Sequence, residues 1–210
     1  MTTGRTDWPW LADRPLLLAS GSATRAAMLR AAGLPVETES ADIDERALDE
    51  PLRAAGASAI DRALALARAK ALDVARKYPG RLVLGADQTL AAPNHSGAKA
   101  RDRAEARAQL QRLSGRAHRL HSAAALARDG AVLFACVETA TLHMRALSSD
   151  FVDRYLDREG DAALTSVGGY RIEETGALLF DRIDGDHAVI LGLPLLPLLA
   201  FLRRHGALAA

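Results

Sequence analysis

Cysteine is nearly absent from this sequence: Cys136 stands alone, so neither an internal disulfide framework nor a cysteine-cluster zinc site can form. It lies in "AVLFACVETATLHM", which reads as a strand, and no histidine or acidic motif stands out as its partner. A small core residue is therefore a better reading than a catalytic thiol. Net charge is nearly absent too. With 27 basic against 26 acidic residues and a formal charge of +1, no overall field draws the protein to DNA or to an anionic membrane, and nucleic acid is not the expected partner. The longest apolar run, "AVILGLPLLPLLAFL" over 188–202, falls short of the ~18 to 20 residues of a membrane span and contains Pro194 and Pro197. It reads instead as a buried strand end and then a helix with proline in its first turn, closed by Arg203 and Arg204. The opening "MTTGRTDWPWLADRP" has no continuous apolar stretch of the kind a signal peptide needs. A cytoplasmic protein with no membrane partner is the expectation.

Familiar catalytic patterns are missing as well. There is no Walker loop and no G-x-S-x-G elbow, and the six histidines (95, 118, 121, 143, 187 and 205) show no metalloprotease spacing, so they read as structural. His118 and His121 lie three apart in a strand-like segment and face opposite sides. Lysine is scarce: Lys70, Lys77 and Lys99 stand against 24 arginines. Where arginine serves as the general cation, a retained lysine calls for a reason. Its compact ammonium suits a crowded phosphate better than a planar guanidinium. Lys70 and Lys99 are candidates on that ground, against the plain alternatives of an exposed helix position and a loop charge; Lys77, near a helix end, is left to the plain reading.

What the chain does have is 49% hydrophobic and 25% charged residues, enough to bury a substantial core. Residues 15–19 read as a short buried strand, Thr24 to Ala32 as a helix stopped by Gly33, and "PVETES" as a strand leading into the acidic "ADIDER". A long helix is expected from Ala54 to Tyr78, ended by Pro79 and Gly80. "RLVLGADQTLAA" then reads as a second buried strand with Asp87 at or near its end. After a loop over 93–97, Asp102 to Leu113 reads as helix, and two alternating stretches meet at the hairpin signal "RDGA". Ser148 looks like an N-cap for a helix reaching about Arg158. Alternating strands and helices with a hairpin give a mixed α/β fold.

Three features point to phosphate chemistry. At "LLLASGSATRAAMLR" a strand ends and a helix begins, where unpaired N–H groups and the positive end of the helix dipole face outward and glycine allows close approach. Ser20, Ser22 and Arg25 would add side-chain donors; the plain alternative is that Ser22 or Thr24 caps the helix. "DIDE" contributes Asp42, Asp44 and Glu45, and "LGADQ" presents Asp87 after an apolar strand, where an unpaired carboxylate is costly. Oxygen ligands of this kind suit Mg²⁺, which takes one or two carboxylates and keeps waters and substrate phosphates.

Taken in order, "LASGSATRAAML", "ADIDE", "RAKA", "VLGADQTL" and "GALLFDRIDGDHAVILGLPL", with "RLSGRAH" between them, resemble the Maf family of nucleoside triphosphate pyrophosphatases, whose fold is similar to that of the inosine triphosphatases. The likeness runs from about Leu16 to Leu202. It implies an elongated mixed sheet with flanking helices, an N-terminal extension over 1–14, and one catalytic domain over 15–205 with two lobes around a central cleft. It also implies hydrolysis of a nucleoside triphosphate to the monophosphate and pyrophosphate with Mg²⁺ or Mn²⁺, commonly by a homodimer. On this resemblance Asp87 is the proton acceptor, Asp44 and Asp87 serve the metal, Ser20, Ser22 and Arg25 hold phosphates, and Lys70 and Lys99 neutralise their charge. Two departures stand out: Arg25 and Ala26 where the family usually has two arginines, and Ala98, Lys99 and Ala100 for its "GKP". Gln88 and Glu173 fall at the family's specificity positions and resemble the members acting on 7-methyl-GTP. A carboxylate accepts N–H bonds from guanine N1 and N2, whereas uracil and thymine offer one such donor. Thr24 stands where an aromatic for the methylated base is expected. A guanine-type substrate is the expectation, with a dTTP/UTP or broad-range pyrophosphatase and a non-catalytic nucleotide-binding regulator of septum formation as the alternatives.

Overall fold

The computed structural model describes residues 8–93 and 99–210. The loop expected over 93–97 lies, apart from Pro93, outside the described residues, as do His95 and Ala98. Six strands, β1 (Leu16–Ala19), β2 (Val36–Thr38), β3 (Val83–Ala91), β4 (Ala117–Arg128), β5 (Ala131–Met144) and β6 (Phe180–Asp184), form one sheet in the order β2-β1-β3-β4-β5-β6. Seven α-helices accompany them among the described residues: α1 (Ala23–Ala31), α2 (Glu45–Ala54), α3 (Ala59–Lys77), α4 (Arg103–Leu113), α5 (Ser149–Glu159), α6 (His187–Ile190) and α7 (Leu195–Arg204). The architecture is mixed α/β. β1 pairs in parallel with both β2 and β3, and β5 pairs antiparallel with β6. The "RDGA" turn joins β4 to β5, with Asp129 at φ 50° and Gly130 at φ 76°, the left-handed pair that a two-residue hairpin requires.

Two compact units divide the chain. The first comprises Met1–Asp87, Ala123–Val137 and Gly192–Ala210, the second Gln88–Ser122 and Glu138–Leu191. In the first, β1 is buried on both faces: Leu16 and Leu18 pack with Leu84, Leu29 and Leu198, while Leu17 and Ala19 pack with Val83 and α3. Helix α3 buries Ala63, Leu66, Ala67, Lys70, Ala71, Val74 and Ala75, the i, i+3, i+4 spacing of one helix face. Its alanines let β3 come unusually close. A Cβ on Gly85 would lie 2.2 Å from Ala67 O and 2.5 Å from Ala71 N, so glycine is a packing requirement here. The second unit has its own core of Leu110, Leu113, Leu120, Leu142, Tyr155, Tyr170 and Leu179.

Three local expectations need correction. The long helix begins at Ala59 rather than Ala54, because Gly56 takes φ +75° and Ser58 caps a new helix by accepting from Asp61 N. The acidic "DIDER" is not a loop throughout: Asp44 caps α2, whose interior contains Pro51. The start of the apolar 188–202 run is the end of helix α6 rather than of a strand, since Asp186 accepts from Ala188 N and starts a helical turn.

Candidate active site

Asp87 is the fifth residue of nine in β3, so it sits mid-strand rather than at a strand end. Register places it beyond the end of its neighbour. β1 stops at Ala19, opposite Gly85, and Asp87 lies two residues beyond that last pair. The region past the carboxyl end of a parallel strand is the usual ligand position in such sheets, and Asp87 lies in that position relative to β1.

Side chains alternate along β3, so Asp87 shares the face of Val83 and Gly85, which packs on α3. The close approach at Gly85 delivers Lys70: its Nζ donates to Asp87 Oδ1 at 2.7 Å, and both side chains are about 10% exposed. Glu45, in the first turn of α2, places Oε1 2.9 Å from the same Nζ and is itself exposed. One ammonium thus joins a buried and an exposed carboxylate.

Arg25 completes the charge cluster from α1. Its Nε donates to Gly192 O at 2.8 Å, and Nη1 to Ala86 O at 3.0 Å and Ser20 Oγ at 3.3 Å. Three of its five N–H bonds therefore serve the protein's own acceptors, and Arg25 fixes the carbonyl next to Asp87 while contributing positive charge. Burial lowers the Arg25 pKa against the pull of Asp87 and Glu45. Burial likewise raises the Asp87 carboxyl above its ordinary range, more than Lys70 and Arg25 lower it. A carboxylate held ready to take a proton nearer neutrality is the state that general-base work requires.

At the junction beside it, Ser22 caps α1 by accepting from Arg25 N at 3.3 Å, and Ser20 Oγ accepts from Ser22 N at 3.2 Å. The plain capping role of Ser22 is thus real. Gly21 between them has ordinary φ, and an added Cβ would meet Ser40 Oγ at 3.5 Å, so neither strain nor packing demands glycine. Thr24, in the first turn, is half-buried.

Among the sequence candidates, Ser20, Ser22, Arg25, Lys70 and Asp87 are thus gathered in the first unit. Asp44 directs Oδ1 at Ala47 N as the α2 cap, so the carboxylate of this segment that reaches Lys70 is Glu45. In the second unit, Gln88 Nε2 donates toward Ser122 Oγ, Val189 O and Ile190 O at 3.0, 3.0 and 2.9 Å, which ties β3 to α6. Lys99 is exposed and forms a single antiparallel bridge with Val167. Glu173 is exposed, two residues before a 3-10 turn at Thr175–Leu179.

A family model described as Maf-like protein matches residues 15–205. The chain belongs to the Maf family. It is 52% identical over 190 residues to a 7-methyl-GTP pyrophosphatase from Brucella abortus, covering 90% of this chain and 96% of the relative. A 7-methyl-GTP pyrophosphatase from Rhizobium meliloti is 52% identical over 93% of this chain and 98% of its own. A nucleoside triphosphate pyrophosphatase from Rhodopseudomonas palustris is 53% identical over 95% and 98%. Among solved structures, a HAM1 protein from Coxiella burnetii aligns with 61% of this chain and 72% of its own at 18% identity and a TM-score of 0.41.

The departure from the Maf pattern at Ala26 has a structural context. Ala26 is 3% exposed and packs among the leucines of the first unit, so an arginine there would have to leave the core before it met a phosphate. Glu45 is the residue that sequence reasoning named but did not bring to the site. The missed signal was Asp44 as a helix cap, which puts Glu45 in the first turn beside it. No helix among the described residues is long and apolar enough to cross a membrane.

A divalent ion fits the donor chemistry. Asp87 and Glu45 offer carboxylate oxygens of the kind hard ions take; Oδ1 and Oε1 are engaged by Lys70 Nζ, so an ion would use their other oxygens. Among the described residues no group of three or more His, Cys, Asp or Glu is arranged to hold an ion unaided, so phosphate oxygens would complete its coordination.

Proposed function

We propose that this protein hydrolyses a nucleoside triphosphate to the monophosphate and pyrophosphate, with a guanine-type base, 7-methyl-GTP being the leading candidate. The observation that carries this is the Lys70 ammonium held between buried Asp87 and Glu45 past the end of β1, in a Maf-family chain. Asp87 takes the proton from the attacking water, whose oxygen bonds to the α-phosphorus as the bond to the departing pyrophosphate breaks. Lys70 and Arg25 supply fixed positive charge to the oxygens on which negative charge builds, and the α1 N-terminus beside Gly21 adds backbone dipoles. Mg²⁺ or Mn²⁺, held by Asp87 with Glu45 or Asp44, would supply Lewis acidity toward the phosphate oxygens. Lys99 adds a phosphate-directed charge, and Ser20, Ser22 and Thr24 line the junction that receives the tail.

Glu173 is the proposed reader of the base, its carboxylate matching the N1 and N2 donors of guanine, with Gln88 as its companion. A broad-range reading is kept open by the relatives named simply nucleoside triphosphate pyrophosphatase. The test is release of pyrophosphate from GTP, 7-methyl-GTP, UTP and dTTP, with Mg²⁺ and with EDTA. Turnover fastest on a guanine-type substrate and lost with EDTA is expected. Preference for UTP would overturn the role of Glu173, and binding of every nucleotide without turnover would overturn the enzyme reading.

A further inference from the structure

Helix α2 carries Glu45 to Lys70, yet it buries none of its own residues and has Pro51 in its interior. Ten residues of helix are marginal in water without packing, so what holds α2 in place decides where Glu45 sits. Asp49, one turn beyond Glu45, accepts from Arg62 Nε at 2.5 Å and Nη2 at 3.0 Å, a two-pronged contact with α3, and from Arg53 Nε at 2.5 Å. The Asp49 and Arg62 side chains are 17% and 11% exposed, unlike the solvated pair Arg46–Glu50 on the same helix. Burial works against its ionisation, but the hydrogen bonds from Arg62 and Arg53 hold the Asp49 carboxyl below its ordinary range, so the contact is a charged one.

A second anchor lies upstream of α2. Asp73 Oδ2 accepts from Asp42 N at 2.9 Å. At about 100° per residue, Arg62, Lys70 and Asp73 fall along one stripe of α3. The segment bearing Glu45 is therefore pinned to α3 on both sides of Lys70 by polar contacts, beside the packing of Ala41 on the core that α3 shares.

We propose that Asp49 and Arg62 are positioning residues, whose paired contact docks α2 on α3 and so sets the reach of Glu45 to Lys70. The inference rests on the reading of Lys70, Asp87 and Glu45 as the reacting site. It is tested by kcat and KM for pyrophosphate release from the nucleotide that the wild type turns over fastest, in Asp49→Asn, Glu45→Gln and the double variant, with Tm measured for each. Asp49→Asn should lower kcat about tenfold, since small misplacement of a site group is costly to rate. The double variant should be no slower than Glu45→Gln alone, a coupling that a merely structural role would not produce. A paired reversal, Asp49→Arg with Arg62→Asp, should restore part of the lost kcat. Full kcat in Asp49→Asn, or losses that simply multiply in the double variant, would overturn the inference while leaving the site reading intact. Wild-type kcat in Glu45→Gln would overturn both it and the place of Glu45 in the site.

Discussion

In the first unit Lys70 and Asp87 meet at 2.7 Å, each about 10% exposed; in the second Arg171 and Glu159 approach to 3.5 Å, with the Glu159 side chain at 4%. Both are charge pairs withdrawn from water, and withdrawal alone is weak evidence for either stability or function. Their surroundings differ. Lys70 has a second carboxylate in Glu45, and Asp87 feels a second cation in Arg25, so four charges act on one another past the end of a strand. Glu159 has the Thr175 hydroxyl, which donates to its Oε1, and its Oε2 and Arg171 Nε are buried without a hydrogen-bond partner among the described residues. Arg171 also approaches Glu174 Oε1 at 3.6 Å, so the second group too holds three charges, but it ties α5 to the chain at 171–175, whereas the first sets a buried carboxylate, its pKa raised by burial, past the end of a strand, which suits chemistry.

The largest expected effect falls on Asp87. Asp87→Asn removes the proton acceptor while Glu45 still pairs with Lys70, so the fold should persist and kcat should fall about a thousandfold, within the range of a lost general base. Pyrophosphate release and circular dichroism together check this. Wild-type rates would dissolve the contrast between the two pairs.

Next comes Lys70→Met, with about a hundredfold loss of kcat at neutral pH through lost charge stabilisation. Its pH profile sharpens the comparison further. The base works when ionised, so the rate should climb as pH rises through the Asp87 pKa. Lys70 lowers that pKa against the burial that raises it. Removing the ammonium should therefore shift the rising limb of kcat to higher pH. A limb that stays in place would mean that Asp87 is not the titrating group.

Gly85→Ala should act through packing. The added methyl would press on Ala67 O and Ala71 N at 2.2 and 2.5 Å, and overpacking of this kind costs about 1–3 kcal/mol. Because α3 would have to retreat, Lys70 should draw back from Asp87 and kcat should fall with the denaturation midpoint.

Much of this arrangement was legible in the sequence. The alanine and leucine spacing of α3, the apolar run of β3 and the Asp-Gly hairpin are local signals, and each appears where local physics puts it. Lys70 and Asp87 stood out because lysine is scarce among the arginines and a carboxylate at or near the end of a buried strand needs a partner; that the two partner each other was not read from the sequence. The position of Asp87 past the end of β1 was not legible, since it depends on the length of a neighbouring strand rather than on residues around Asp87. Helix α2 was hidden by Pro51 and by the absence of a buried face, for it is held through Asp49 and Arg62 across the turn at 55–58. The donor pattern of Arg25 was equally out of reach, because Gly192 and Ala86 come from distant segments.

The smallest effect is expected at Glu159, where the comparison can be inverted. Glu159→Gln keeps an oxygen for the Thr175 hydroxyl and removes the charge that faces Arg171. Stranding a fully buried partner costs about 3–5 kcal/mol, but Arg171 is 31% exposed, keeps Glu174 Oε1 at 3.6 Å, and part of its charge can be hydrated. A loss of about 1–2 kcal/mol is therefore expected, read as a lower denaturant midpoint at unchanged slope. The kcat should stay within about twofold, because no step assigned to Asp87, Lys70 or Arg25 passes through this pair. If kcat instead fell a hundredfold at unchanged stability, the Glu159–Arg171–Glu174 group of the second unit would be the one serving the reaction, and a carboxylate pKa raised by burial would be no guide to which group does the chemistry.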